Sequence, residues 1–462
     1  DSLVLSSVYK LIRSEINKEN PSQFIIQYGL EIFYKANFFP DELELLQKLS
    51  SSKDAIIRIE TAKAGINFPF HRYPNFDFLT RLILDENPNV SRQLAVSLRK
   101  IYLIEPLLLF VQKQIENSHL SRITTGELFI TLINHLQKTD IDLLKKYEAF
   151  VDKSFIYQSC GETATLSDSV FTYLLKQYVA ESKENKLVIL AAIMKHQKEF
   201  LNTTLFNDFV FGILSEKDIS CSTSLIDELS NDFLLKNKIK FLKTIIADTK
   251  RNKNNPDFAG SVESYYNSLE KLDKRSAQIF CKILSSSTNY PIKKFVSHKL
   301  GNTSHIKNSG KYFQILWSRA FTYQSAIVTT SKGKFTIAFV PDAAPISVGN
   351  FCMLAEKNFF NGLKFHRVVP AFVIQGGDPE NTGWGGSEIP IVSEFSPYQF
   401  QSGIVGMASS GKDTESSQWF VMQAFHPHLN GRYTVFGNVI DGFETILKTD
   451  QNDKILSVEL IH

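Results

Sequence analysis

The run FHRVVPAFVIQGGD, residues 365–378, sets a guanidinium, Arg367, among apolar residues and closes on two glycines and an aspartate. Read as a strand, it puts Phe365, Arg367 and Val369 on one face and His366 and Val368 on the other. A cation in that setting costs desolvation unless it pairs with a carboxylate, such as Asp378 or Glu394, or opens onto a ligand cavity. Other chemistry-bearing residues are scattered. Cys160, Cys221, Cys281 and Cys352 are widely spaced with no CxxC or Cys/His cluster, so they read as small buried hydrophobes and not as a zinc site or disulfide framework. His119, His135 and His196 stand alone, with no paired ligand at helical spacing. No metal and no cofactor is expected.

The elements around Arg367 alternate. SAIVTTSKGKFTIAFV reads as two strands around the turn signal Ser331-Lys332-Gly333. Pro345 opens a helix in which Val348, Phe351, Cys352 and Ala355 recur at three and four. Strands with glycine-containing turns follow, then a helix at 442–449 and a last strand, ILSVELI. Many short strands with two helices predict a closed antiparallel barrel capped by those helices.

Before this, to about residue 300, helical periodicity dominates. Thr124 and Glu127 have capping-box spacing, and Leu128, Leu132 and Leu136 follow at intervals of four, with Phe129 and Ile133 widening the stripe. KDAIIRIETAKAG and NPNVSRQLAVSLRK can be laid over one another, Ile57 on Val90 and Ala62 on Ala95, and YPIKKFVSHKLGN fits with Ile292 leading. A turn, a β-branched anchor, a basic residue and a small residue are similar to the second helix of HEAT-type repeats. The expected fold is therefore an α-solenoid, with an irregular helical bundle as the alternative.

A chain of 462 residues is too long for one ordinary core. Residues 323–462 carry 9 Lys/Arg against 13 Asp/Glu, and residues 1–322 carry 42 against 35, as two units with different surfaces would. The net charge of +3 gives no reason to expect a nucleic-acid partner. The most apolar runs, at 101–112 and 187–194, are too short to cross a membrane. Asp1 opens the sequence without an initiator methionine or a signal-peptide pattern. A processed protein of the bacterial periplasm or cell envelope is favoured over a cytoplasmic fragment.

Four blocks, AIVTTSKGKFTIAFVPDAAPISVGNF, FHRVVPAFVIQGGD, GIVGMASSGKDTESSQWFV and LNGRYTVFGNVIDG, resemble in order the signature segments of cyclophilins, the barrel-shaped peptidyl-prolyl cis-trans isomerases. The resemblance covers about residues 323–462, which implies three parts: helical repeats at 1–301, a linker at 302–322 and an isomerase domain at 323–462. Isomerising an X–Pro bond needs no nucleophile, metal or redox group. Its obstacle is amide resonance, with a rotation barrier of about 18–20 kcal/mol. Twisting the bond localises a lone pair on the prolyl nitrogen, and a donor that meets it there lowers the barrier. Arg367 fits that task.

By the same resemblance, Phe372, Val373, Phe420 and Leu429 form the proline pocket, and Gln375 hydrogen-bonds the substrate backbone. The backbone of Ala408 and Ser409 holds the residue before proline, Gln418 supports the site, and Tyr433 lies at its rim. SSGKDTESS, 409–417, borders the groove as a specificity loop. Val373 stands where the family most often has methionine, Ser409 where asparagine is common, His428 where tryptophan is frequent and Tyr433 where histidine is. Turnover should survive these changes, whereas cyclosporin, which leans on that tryptophan, should inhibit weakly. The implied function is a prolyl isomerase acting on proline-containing clients in protein folding, with a protein partner on the helical surface. The alternative is a non-catalytic scaffold that binds proline-containing segments within a larger complex.

Overall fold

The structure, a computed structural model, describes residues 2–69, 77–117, 119–137, 139–300, 310–387 and 389–462. Among the described residues of the first 300, every regular element is helical. The sequence starts these helices with polar caps. Asp54 accepts from Ile56 N–H (2.8 Å), and Asn87 accepts from Asn89 N–H (3.0 Å) with Pro88 in the first turn. At Arg122–Leu136 the cap is Ser121, whose hydroxyl accepts from Thr124 N–H (3.1 Å). Thr124 itself is buried inside the helix, and Glu127, expected in a capping box, ion-pairs with Arg99 instead.

One row of helices stacks in sequence: Gln23–Lys35 on Ala55–Ala64, then Pro88–Leu98, Arg122–Leu136, Lys153–Cys160, Lys183–Lys195, Ile219–Glu228 and Val262–Leu272. The residues matched in the internal repeat, Ile57, Ala62, Val90, Ala95 and Ile292, are all buried in one apolar core. Hydrogen bonds cross from one helical layer to the next at a regular sequence interval. Ser91 Oγ meets Thr124 Oγ1 at 3.1 Å, 33 residues on, and Thr131 Oγ1 donates to Ala95 O at 2.8 Å, 36 residues back. His196 Nε2 lies 3.0 Å from Cys160 O, and Arg251 Nη1 donates to Ser215 O at 3.0 Å, both across 36 residues.

From residue 325 the chain forms an eight-stranded antiparallel sheet. Its strands are β1 (Ser325–Thr330), β2 (Gly333–Phe339), β3 (Arg367–Val369), β4 (Val373–Gly376), β5 (Ile404–Met407), β6 (Trp419–Met422), β7 (Val435–Asp441) and β8 (Ile455–Ile461). The order is β3-β4-β6-β5-β7-β2-β1-β8. The two edges meet through an isolated bridge, Lys364 with Lys454, flanked by Phe365 N–H to Asp453 O (2.8 Å) and Ile455 N–H to Leu363 O (2.8 Å). Closure is therefore made by the segment leading into β3 and not by a full ladder.

Alternation divides the side chains. Val328, Phe335, Ile337, Val368, Ile374, Val405, Trp419 and Val421 fill the barrel interior. Trp419 is fully buried and edge-on to Phe351, Phe360 and Phe365. Val373, Phe420, Met422 and Val435 form a second cluster on the opposite face. The helices Pro345–Glu356 and Phe443–Lys448 are the expected two.

Two expectations change. Phe365 lies in the barrel core with Val368 and not on the face of Arg367, because β3 begins only at 367 and the chain before it is bonded to Asn452 and Asp453. Of the stretch 302–322, expected as linker, 302–309 lie outside the described residues, and Gly310–Ala320 is a helix packed on Pro345–Glu356. Its Leu316 and Ala320 are buried in the barrel core, and Gly349 is what allows the contact: a Cβ there would run into the Leu316 carbonyl.

The helical region grips the barrel through the helix Pro88–Leu98. Asn89 Nδ2 donates to the carbonyls of Leu447 (2.8 Å) and Thr449 (3.1 Å), at the C-terminal end of Phe443–Lys448. Buried Arg92 donates to Val368 O (2.9 Å) in β3 and to Gln451 Oε1 (2.8 Å), with Glu127 at 3.5 Å and Asp450 at 3.7 Å. Lys183 Nζ meets Glu380 at 2.7 Å and Lys364 Nζ meets Glu184 at 3.3 Å. Ala371 and Ala424 of the barrel belong to the helical core.

Candidate active site

Register builds the site. Arg367 lies opposite Gln375, Gln375 opposite Phe420, and Phe420 opposite Gly406, so one cross-strand row runs over β3, β4, β6 and β5 on the barrel's outer face. A Cβ at Gly406 would collide with the rings of Phe420 and Phe400, so glycine lets Phe420 lie flat across the sheet. Phe420 stacks on Phe400 at 5.6 Å and meets Tyr433 edge-on at 5.9 Å. Val373 and Leu429 complete the buried part of this cluster, and Phe372, Ala408 and Tyr433 pack around it.

Arg367 is exposed at the end of the row. Its Nη1 donates to Gln375 Oε1 (3.2 Å), and its guanidinium carbon stands 5.7 Å from the Phe372 ring centre. Partial burial lowers its pKa from the ordinary arginine value, and Tyr433 nearby acts in the opposite direction. Among the described residues no carboxylate forms an ion pair with it. Asp378 instead accepts from the N–H groups of Glu380 (2.8 Å) and Thr382 (2.9 Å) in the loop after β4. Glu394 accepts from Ile346 N–H (2.9 Å) and Ser347 N–H (2.8 Å) at the start of Pro345–Glu356, and burial raises its pKa.

A chain of amides sets Gln375. Gln375 Nε2 donates to Gln418 Oε1 (2.9 Å), and Gln418 Nε2 donates to the carbonyls of Gly383 (3.0 Å) and Gly385 (2.7 Å). The last acceptors can only receive, so each amide has one orientation, which turns the Gln375 oxygen toward Arg367. Ala408 N–H is committed to Gln418 O (3.0 Å), so at that position only the carbonyl is left to meet a ligand. His428 stacks on Phe372 at 5.8 Å, and His426 meets the same ring edge-on at 4.8 Å.

Two clefts flank the row. One of about 530 Å³ is lined by Phe372, Phe395, Lys412, His428, Leu429 and Tyr433. The other, of about 250 Å³, lies on the Gln375 and Gln418 side and includes Ala408, Trp384 and Gly385. Ser409 and Ser410 line both. Every site residue expected from sequence is thus in one neighbourhood: Arg367, Gln375 and Phe420 in the row, Val373, Leu429 and Phe372 in the cluster, and Ala408, Ser409, Gln418, His428 and Tyr433 around it. Phe400, Trp384 and His426 were not foreseen. Trp384 had a weak signal, an aromatic residue set in the glycine-rich TGWGG.

The cyclophilin type peptidyl-prolyl cis-trans isomerase family model matches residues 325–459. Peptidyl-prolyl cis-trans isomerase B of Bacillus subtilis is 43% identical over 129 residues, 28% of this chain and 90% of that protein. The chain belongs to the cyclophilin-type peptidyl-prolyl cis-trans isomerases. A second relative of the cyclophilin unit, a peptidyl-prolyl cis-trans isomerase of Helicobacter pylori, is 42% identical over 137 residues, 29% of this chain and 85% of its own length. A crystal structure of a Cryptosporidium parvum cyclophilin type isomerase is 30% identical and covers 30% of this chain and 98% of its own, with a TM-score of 0.29. The cyclophilin unit is an isomerase of X–Pro bonds in peptides and proteins. Among the described residues no helix is long and apolar enough to cross a membrane, and no group of His, Cys, Asp or Glu could hold a metal ion.

Proposed function

We propose that Arg367 is the catalytic donor and that the outer cluster of Phe372, Val373, Phe420 and Leu429 receives the proline ring. The observation that carries this reading is the single row Arg367, Gln375 and Phe420, which sets a permanently charged, planar donor beside apolar side chains. In the planar amide the prolyl nitrogen's lone pair is delocalised and offers little to a donor. As the bond twists, the lone pair localises, and the Arg367 guanidinium binds it more strongly than in the ground state. Gln375, held by Gln418, donates to or accepts from the substrate backbone, and the carbonyl of Ala408 with the backbone of Ser409 aligns the residue before proline. Tyr433 and His428 border the ring from the rim.

In this reading the helix Gly310–Ala320 counts with the barrel because its buried face is in the barrel core. The row of stacked helices, with side-chain bonds recurring at 33 to 36 residues, supports a HEAT-type array. Such an array presents a long surface to a client or partner protein, which suits a chaperone role for the whole chain.

The test is NMR exchange on an X–Pro peptide. Arg367→Ala should lower kcat/KM by about 10²- to 10³-fold, as loss of a transition-state donor does, with peptide binding changed far less. Equal rates for the two proteins would show that Arg367 is not the catalytic donor.

A further inference from the structure

The cleft of about 250 Å³ beside the active site is built from both parts of the chain. The barrel contributes Gln375, Gly385, Ala408 and Gln418, and the helical region contributes Ala259, Gly260 and Asn289. Ala259 and Gly260 sit in the 3-10 segment Pro256–Ser261, and Asn289 caps the helix Tyr290–Lys299 by accepting from Ile292 N–H (3.3 Å), which fixes its side chain. These residues are held opposite the barrel by the contacts between the two parts. Lys183 fastens Glu380, three residues before Gly383 in the cleft loop, and Arg92 and Asn89 fasten β3 and the end of Phe443–Lys448.

Several small residues, Gly383, Gly385, Gly386 and Ala408, line the barrel side of the cleft. A Cβ at Gly385 would meet Asp378 and Glu380, and one at Gly386 would meet the Ser416 hydroxyl. Ser409 and Ser410 line this cleft and the apolar one, so the two adjoin. A peptide with its proline at the outer cluster, running past Ala408 and Ser409, therefore continues into the second cleft and passes between barrel and helices.

We propose that the helical region forms one wall of the substrate site, so that Ala259, Gly260 and Asn289 select for extended, unfolded chain ahead of the proline. This rests on the direction of substrate binding proposed above. A proline in a folded surface loop, whose flanking chain is thick, does not fit between the two walls, whereas one in an unfolded client does.

The test uses the full chain and Gly260→Trp. Gly260 is exposed, and an added Cβ there meets no atom within 4 Å, so the bulk enters open space. Two peptides are compared by NMR exchange, one with a single residue ahead of the proline and one with a long leading segment. The long peptide should lose roughly tenfold in kcat/KM while the short one stays within about twofold, a difference the pocket's shape alone can produce. No loss on the long peptide, or equal loss on both, overturns the proposal. A second measurement guards against misfolding: a nitroxide on Gly260→Cys should broaden the leading residues of the long peptide when it is bound. Sharp leading residues in a bound peptide overturn the wall. Broadened residues in a peptide whose exchange is not accelerated keep the wall and overturn the catalytic reading of Arg367.

Discussion

His426 is a titratable residue beside the proposed proline pocket. Its Nε2 lies 2.7 Å from Ala371 O and its ring meets Phe372, while Glu31 and Lys63 of the helical region and His428 of the barrel face it. Burial lowers its pKa below 6.5, against the Ala371 bond, which raises it. The unfolded chain therefore binds a proton more readily, so this group's contribution to stability is complete above pH 6.5 and is lost as pH falls toward the depressed folded value. His366 is lowered in the same direction by burial, against the attraction of Asp378. Thermal melts should show the difference between wild type and His426→Gln shrinking as the pH drops below 6.5. A difference independent of pH would show that His426 does not titrate on unfolding. At this scale the sequence was readable where the residues sit in contiguous signature blocks, as Arg367, Phe372 and Gln375 do. Phe400 and the cleft residues Ala259, Gly260 and Asn289 were not, because their approach to the site is created by packing across long stretches of chain.

Among the elements, the helix Gly310–Ala320 ties the start of the barrel to the helix Pro345–Glu356 through Gly349. Gly349→Ala should cost about 1–3 kcal/mol, since the new methyl meets backbone and cannot be relieved by a rotamer change. Denaturant titration should show this as a lower midpoint with an unchanged slope; a midpoint equal to wild type would mean the two helices separate freely. The strands β1 and β2, the helix opened by Pro345 and the last strand followed from alternation and punctuation alone. The helix at 310–320 did not, because its sequence opens with the polar GK and carries exposed Ile315 and Trp317 beside buried Leu316 and Ala320, so apolar residues fall on more than one face. The side of β3 was misassigned at Phe365 for a related reason: alternation holds only inside a ladder, and Phe365 lies just before one.

Over the whole molecule, Arg92 is the residue through which the helical region reaches the strand that carries Arg367. Burial lowers its pKa, and Asp450 acts against that shift, while burial raises Asp450. Removing the guanidinium would leave Asp450 short of its cation and Val368 O without its donor. Arg92→Ala should therefore cost about 3–5 kcal/mol, the usual result of breaking one side of a buried pair. Hydrogen exchange should rise at the β3 and β4 amides well before it rises in Val262–Leu272. Uniform protection in the variant would mean that the two parts hold together without Arg92. The division into two units was visible in charge and periodicity, but their mutual grip was not, since Asn89 and Arg92 sit in a repeat segment that looks like any other.

The pairing of β1 with both β2 and β8 carries a consequence for biosynthesis. The ribosome delivers β1 about 130 residues before β8, and chains leave it at roughly 5–20 residues per second. For several seconds the stacked helices can be formed while the β1 flank lacks its partner and Lys364 has no Lys454 to close against. Newly made molecules would thus pass through a stage with the helical surface ready and the isomerase silent.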